Sequence, residues 1–338
     1  GFVNPVMNLL MNMGITFVVL VGAYRVMGHQ TEPGKIVAFT QYFTMISMAT
    51  LSITRIFMMY TKSSASAERI RQVIDVSKDL EQSPENMYPI QKDAAYIVFD
   101  KVYFSYNENK DMLKNISFSL NRGESLGIIG ATGSGKTTVI NLLMRFYDVT
   151  SGSVQIEGKD IRTFDEKELR LKFGVAMQND FLYSDTIEEN IRFGRDISHE
   201  DIVRAAKIAQ ADEFICSFPE KYNHILTQKA TNISGGQKQR LLIARSLASK
   251  PDILILDDSS SALDYKTDLN LRSAIKQNID EITSVIVAQR VSSVKNCDLI
   301  MVLEEGEIIG IGKHEDLMNN CSVYNEISKS QMGGSFFE

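Results

Sequence analysis

The sequence is poor in the residues that hold transition metals or build disulfide frameworks, with three cysteines and four histidines in 338 residues. Cys216, Cys297 and Cys321 are scattered, form no CxxC pair and leave an odd count, which suits a reducing compartment and gives no metal site. The histidines are equally dispersed, so a zinc centre is not expected. An excess of basic charge is also missing. With 36 Lys and Arg against 42 Asp and Glu, the net charge is −6, and no basic field is present to release counterions from nucleic acid. There is no internal repeat and no low-complexity tract. What remains is ordinary: 44% hydrophobic and 23% charged residues exclude a disordered or fibrous chain. At ~100–200 residues per domain, the length allows one large domain and a smaller piece. The first residue is Gly rather than Met, so the natural start is expected upstream, and no signal peptide can be judged.

The opening residues differ from the rest. Leu9 to Met27 is almost wholly apolar, and nineteen residues in a helix span roughly 28 Å, close to a bilayer's hydrocarbon thickness. A polar turn from Gly28 to Gly34 leads to a second stretch, Ile36 to Tyr60, rich in Met, Phe and Ile but carrying Gln41 and Arg55. Hydropathy alone leaves two readings open: helices of a soluble core, or membrane spans with Lys62, Arg69 and Arg71 as a cytoplasmic flank. Ser77 to Gln91 has the composition of a linker. From Ala95 onward, short β-rich runs (IVFDKVYF, ISFSL, SLGIIG, PDILILD, SVIVA, DLIMVL) alternate with helical ones, with a helix expected over Thr137 to Phe146. That alternation predicts an α/β domain with a largely parallel sheet.

Strand SLGIIG leads into Gly130-Ala-Thr-Gly-Ser-Gly-Lys136-Thr137 and then an apolar helix. This is G-x-x-x-x-G-K-[ST] in its required strand–loop–helix context. The glycines let consecutive N–H groups turn inward as an anion nest at a helix N-terminus. Gly130, Thr132, Gly133, Ser134, Gly135, Lys136, Thr137 and Thr138 are therefore the expected phosphate cradle, with Lys136 as a point charge and the Thr137 hydroxyl as a ligand for Mg²⁺. A nucleoside triphosphate is the predicted ligand. A second strand ends at Asp257, at the edge where a doubly wound sheet places its ligands, and its carboxylate is the natural partner of the Mg²⁺ water shell.

Between cradle and carboxylate lies Ile233-Ser-Gly-Gly-Gln237-Lys-Gln-Arg240, in which Ser234 and Gln237 have the spacing of a capping box. This run resembles the LSGGQ signature of ATP-binding cassette (ABC) proteins, and other motifs of that family follow in order. Tyr106 is similar to the aromatic that stacks on adenine, and Gln178 to the glutamine that links Mg²⁺ and water to the membrane helices. Ser261-Ala-Leu-Asp264 resembles the loop that crosses the subunit interface, though Asp264 serves equally well as a helix N-cap. The run DFLYSDTIEENI is typical of exporters. The resemblance covers residues 95 to about 329. It implies a P-loop NTPase core with a helical signature subdomain, preceded by two transmembrane helices. It further implies a membrane domain ending at 72, a linker at 73–94 and a nucleotide-binding domain at 95–332. Ser234, Gly235, Gly236, Gln237 and Asp264 would then face the nucleotide held by a second subunit.

Three positions depart from the family pattern. Asp258 stands where the family has the glutamate that orients the attacking water, and losing one methylene retracts the carboxylate by roughly 1.5 Å. Gln289 stands in place of the switch histidine; its amide still donates but has no nitrogen that titrates near neutral pH. Thr227 to Ala230 lacks the acidic residue of the family's Gly-Glu-Arg-Gly run. Two readings follow: a homodimer with a slow Asp base, or the degenerate-site half of a heterodimeric multidrug-type exporter. Under the second, Asp258, Gln289 and Gln178 form a slow catalytic set with ATP and Mg²⁺ as cofactors. The expected partners are a second half-transporter, the membrane, and a transported small molecule, lipid or peptide, with no nucleic acid. The expected location is the cell membrane, multi-pass, with the nucleotide-binding domain in the cytoplasm. A soluble ABC ATPase without transport and a purely regulatory ATP-binding subunit with no transport path of its own are the remaining alternatives.

Overall fold

Two hydrophobic helices dominate the first of two units, Gly1–Asp79 and Leu80–Glu338, in the computed structural model. The structure describes residues 3–76, 80, 82–84, 88, 94–107, 111–177, 180–259, 262–279 and 281–332. Helix α1 (Val3–Met27) and helix α2 (Pro33–Ile74) are joined by a polar turn. Pro33 opens α2 after an extended Glu32, where a missing N–H costs nothing. The second apolar stretch was expected to end at Tyr60, yet α2 runs on to Ile74. Residues 61–74 hold no Pro or Gly, and Arg71 pairs with Glu68 at 2.9 Å and Asp75 at 3.3 Å. At ~1.5 Å per residue, 42 residues reach about 63 Å, roughly twice a bilayer's hydrocarbon thickness.

Both helices are long and apolar enough to cross a membrane, with mean hydropathy of 1.9 and 1.4 in their candidate spans. Phe17, Leu20, Tyr42, Met45, Ile46 and Phe57 point outward and are 64–69% exposed. The hydroxyls of Thr16, Thr40, Thr44, Thr50, Ser52 and Thr61 each donate to the carbonyl four residues back, so these polar groups are satisfied without water.

The second unit is α/β. Its chain runs β1 (Ile97–Phe104), β2 (Leu113–Leu120), β3 (Ser125–Gly130), α3 (Lys136–Leu143), β4 (Ser151–Ile156) and β5 (Lys159–Asp160). Next come α4 (Glu166–Leu171), β6 (Phe173–Ala176), α5 (Ile187–Arg192), α6 (His199–Ile208), α7 (Asp212–Ser217) and α8 (Gly235–Ala248). It closes with β7 (Ile253–Asp257), α9 (Tyr265–Asn278), β8 (Thr283–Val287), α10 (Val291–Val294), β9 (Leu299–Glu304), β10 (Glu307–Gly312), α11 (His314–Asn320) and α12 (Ser322–Met332).

The larger sheet has the order β10-β9-β3-β8-β7-β6, parallel except for the antiparallel edge strand β10. Side chains alternate across it with period two. Leu254, Leu256, Ile286, Ile300 and Val302 enter one core, which α5, α6, α8 and α9 cover. Ile253, Ile255, Val285, Met301 and Leu303 enter the other, which α3 covers. The cradle helix α3 and the signature helix α8 therefore lie on opposite faces of one sheet. A second sheet, β2-β1-β4-β5, is antiparallel and also packs into the α3 core. Of its strands β1 and β2 were expected and β4 and β5 were not, and the βα alternation did not foretell a separate sheet.

Candidate functional site

Strand β3 runs through the middle of the parallel sheet and delivers the chain to the cradle at its carboxyl edge. Gly130 is required by close approach, since a Cβ there would meet the Leu303 carbonyl oxygen. Gly135 caps α3 in the left-handed region at φ 105°, a conformation that side-chain-bearing residues rarely adopt. Helix α3 starts at Lys136 and ends at Leu143, earlier than the expected Phe146. Arg145 takes φ 53°, and Phe146 N–H turns back to the Asn141 carbonyl.

Lys136 is 9% exposed and lies folded along the loop, donating to the carbonyls of Gly130 at 2.9 Å and Ala131 at 2.8 Å. Burial lowers its pKa, while the carboxylates of Asp258 and Asp257 oppose that shift. Asp257 ends β7 at 7% exposure, and burial, then the charge of Asp258, raise its pKa. Lys136 and a hydrogen bond from the Thr137 hydroxyl pull it back. The structure thus brings Lys136, Thr137, Asp257 and Asp258 together, two separated segments of sequence meeting at one strand edge.

The donor set suits a polyphosphate with a divalent cation. Among the described residues, Ser134 Oγ is buried with no hydrogen-bond partner, and space is open beside Gly133. A cation and a phosphate would satisfy the Lys136 ammonium, the Asp257 carboxylate and that orphan hydroxyl together. Thr132, Gly133 and Thr137 are exposed, while Thr138 is buried and its hydroxyl lies 3.3 Å from that of Tyr106. Tyr106 is half exposed and meets Phe104 and Tyr147 edge-on, at centroid distances of 4.8 and 5.1 Å. Tyr147 was missed in the sequence. Its only signal there is the aromatic pair in Arg-Phe-Tyr just past the helix.

Asp258 is 8% exposed and sits in the left-handed region at φ 47°, held by its N–H to the Val287 carbonyl at 2.9 Å. Gln289 engages both of its oxygens: Nε2 donates to Oδ2 at 2.8 Å and the backbone N–H to Oδ1 at 3.2 Å. Two of the three departures from the expected pattern are therefore bonded to each other. Gln178 and Ser261 lie outside the described residues.

The signature turn is built as its spacing predicts. Ser234 caps α8, its hydroxyl accepting from Gln237 N–H at 3.2 Å, while Gln237 Oε1 accepts from Ser234 N–H at 2.9 Å. Gly235 faces open space, and Gly236 backs onto the Ala262 carbonyl. Asp264 acts as the N-cap of α9, accepting from Thr267 N–H at 2.9 Å and its hydroxyl at 2.7 Å. Farther along α8, the buried Arg245 donates to the carbonyls of Asn190 at 2.8 Å and Phe181 at 3.0 Å. It ties the signature helix to the segment that follows Gln178. A charge within the apolar run LLIARSLA was the available sequence signal.

Comparison with known proteins agrees with this arrangement. Residues 113–261 match the family model described as ABC transporter. The chain is 36% identical over 333 residues to the uncharacterized ABC transporter ATP-binding protein YfiC of Bacillus subtilis, covering 98% of this chain and 55% of that protein. It is also 36% identical over 324 residues to the putative multidrug export ATP-binding/permease protein YgaD of the same organism, covering 95% and 56%. Among solved structures, a bacterial Atm1-family ABC exporter with ATP bound superposes with a TM-score of 0.75 at 29% identity, over 97% of this chain and 57% of that one. The chain spans about half the length of the curated relatives it matches. By its cradle, its signature turn and these likenesses, the chain belongs to the ABC exporter ATP-binding/permease proteins.

Proposed function

We propose that this chain is the C-terminal part of an ABC exporter half-transporter: the end of a membrane domain at 1–72, a linker at 73–94 and a nucleotide-binding domain at 95–332. It serves as the degenerate-site half of a heterodimer in the cell membrane, with the nucleotide-binding domain in the cytoplasm. ATP lies against Tyr106 and in the cradle Gly130–Thr138, with Lys136 on its phosphates. Thr137, Asp257 and Gln178 are the residues suited to holding Mg²⁺, which when bound neutralises charge on the phosphates. Ser234–Gln237 and Asp264 complete the partner's site. Closure of the two subunits on ATP is a population shift toward the state with higher ligand affinity, and the helices carry it to the transported small molecule, lipid or peptide.

The observation that carries the slow-site reading is the double hydrogen bond from Gln289 to Asp258. A base must offer a carboxylate lone pair to the attacking water. Here each oxygen already accepts one hydrogen bond from Gln289, so the attacking water shares a carboxylate with one lone pair on each oxygen already engaged. The carboxylate also stands one methylene short of the family's position, and misplacement of about 1 Å can cost about a hundredfold in rate. Binding groups are retained while the proton acceptor is engaged elsewhere.

The test compares the purified self-paired protein with the complex it forms with a second half-transporter. Self-paired protein is expected to bind ATP·Mg yet release phosphate at least tenfold more slowly than the complex. Brisk turnover by the self-paired form favours the homodimer with an Asp base. Failure to bind ATP removes the whole reading.

A further inference from the structure

The turn that carries Gln289 is held from a distant part of the chain. Gln331, in the last turn of α12, donates its Nε2 to the Gln289 carbonyl at 2.8 Å. Its Oε1 accepts from the Val291 N–H at 2.9 Å. The two bonds bracket Arg290, the N-cap of α10, whose side chain makes no capping bond. Val291 N–H is one of the donors that a helix start leaves unsatisfied, and the amide of another helix supplies its acceptor. Helix α12 is itself anchored. Tyr324 is fully buried, with its hydroxyl 2.8 Å from His314 Nδ1, and Asn325 Nδ2 donates to the Met318 carbonyl at 2.6 Å.

We infer that Gln331 is a positioning residue, a latch by which the C-terminal helix keeps Gln289 on Asp258. The inference rests on the reading of this site as a slow ATPase. The connection runs through four hydrogen bonds: one that Gln331 donates to the Gln289 carbonyl, one that it accepts from the Val291 N–H, and two that Gln289 donates to Asp258. Gln331 fixes the backbone from which the Gln289 side chain reaches. With the backbone fixed, the amide stays on the carboxylate and Asp258 stays engaged. When α12 lets go, the 289–291 turn gains freedom and Gln289 can leave. The Asp258 backbone keeps its own anchor to the Val287 carbonyl, so the residue remains in place when the Gln289 amide leaves its carboxylate. Docking and release of the C-terminal helix would then set the hydrolytic rate of this site, while leaving the cradle residues untouched.

The test uses the Q331A variant of the membrane-extracted, self-paired protein. Hydrogen exchange at the 289–291 amides is expected to quicken at least tenfold. Phosphate release is expected to rise at least threefold with KM for ATP unchanged, since no cradle residue touches Gln331. In a Q289A background the same substitution is expected to leave turnover unchanged, because the side chain it positions is gone; a merely structural role for Gln331 would act equally in both. Q331E keeps an acceptor for Val291 but no donor for Gln289, and should raise turnover as Q331A does. Unchanged exchange, or turnover that stays level or falls, overturns the latch. Wild-type protein that binds no ATP overturns the parent reading instead, and protection of the 289–291 amides then decides whether the latch exists.

Discussion

Gln289 Nε2 lies 2.8 Å from Asp258 Oδ2, and the two residues are thirty-one positions apart. Neither is the residue that the sequence resemblance leads one to expect there, and each occupies the other's hydrogen-bonding group. A glutamate at 258 extends the carboxylate by one methylene toward the attacking water, and a histidine at 289 restores a nitrogen that titrates near neutral pH. The double variant D258E/Q289H is expected to raise phosphate release from the self-paired protein by roughly tenfold to a hundredfold. Rates equal to wild type would mean that these two positions do not limit the site.

Tyr106 offers an exposed ring face beside the start of α3, steadied by Phe104 and Tyr147. Stacking of a base on an aromatic ring is worth about 1–3 kcal/mol. Y106A is therefore expected to weaken ATP binding by roughly five- to a hundredfold, and Y106F to retain nearly all of it. The Phe variant loses only a 3.3 Å contact between the tyrosine hydroxyl and Thr138. Titration with a fluorescent ATP analogue reads both. Equal loss in the two variants would assign the effect to the hydroxyl rather than the ring.

What the sequence made legible was local. The cradle, the capping box at Ser234 and Gln237, and the carboxylate ending β7 each depend on residues within a few positions of one another, and each folds as its spacing implies. The alternation of Leu254 and Ile255 between two cores is equally local, because it follows from the pleat alone. Bonds between distant segments were not legible. Gln331 meets Gln289 across forty-two positions, and nothing in Ser-Gln-Met marks that glutamine as a cap for another helix. The separate antiparallel sheet was hidden for the same reason: β1 pairs with β4 as well as β2, and strand patterns do not name their partners.

Arg245 separates a structural from a catalytic cause. Arg245 is 5% exposed, and its guanidinium holds the carbonyls of Asn190 and Phe181 from within the apolar face of α8. Burial lowers its pKa, with Asp180 at 3.7 Å opposing the shift. Removing it leaves the buried Asn190 carbonyl and the half-buried Phe181 carbonyl without their donor, so R245A is expected to cost about 2–4 kcal/mol of stability. Urea unfolding should show it as a lower midpoint. An unchanged midpoint would mean that water replaces the guanidinium at those carbonyls.

Gly235 gives the opposite separation. A Cβ there meets nothing, and its backbone does not lie in the left-handed region. It stands in the first turn of α8, where Ala is a better helix former than Gly, by up to about 1 kcal/mol in a helix interior. G235A is accordingly expected to leave the melting temperature level or raise it slightly. The same methyl group would occupy the face proposed to close on the partner's nucleotide, so phosphate release by the assembled heterodimer should fall at least tenfold. A G235A complex as active as wild type would move the signature turn away from the partner's phosphate.

Asp257 links the site to pH. Burial, and then the neighbouring charge of Asp258, hold its carboxyl above the ordinary value of 3.8, with Lys136 and Thr137 pulling the other way. For an acid whose folded-state pKa is raised, the folded protein binds more protons than the unfolded chain in the window above 3.8. Its contribution to stability is therefore fully present below that window and is lost as pH rises through it. D257N carries no such titration. Without nucleotide, the stability of D257N relative to wild type should be near its base level below pH 3.8 and increase as the pH is raised above it. Added ATP·Mg should reverse the sign, because a divalent cation favours the ionised carboxylate and only the wild type can supply it. Melting temperatures of the two proteins across a pH series, with and without ATP·Mg, read both effects. A difference independent of pH would mean that the folded and unfolded states bind the Asp257 proton equally, burial and Asp258 being fully offset by Lys136 and Thr137.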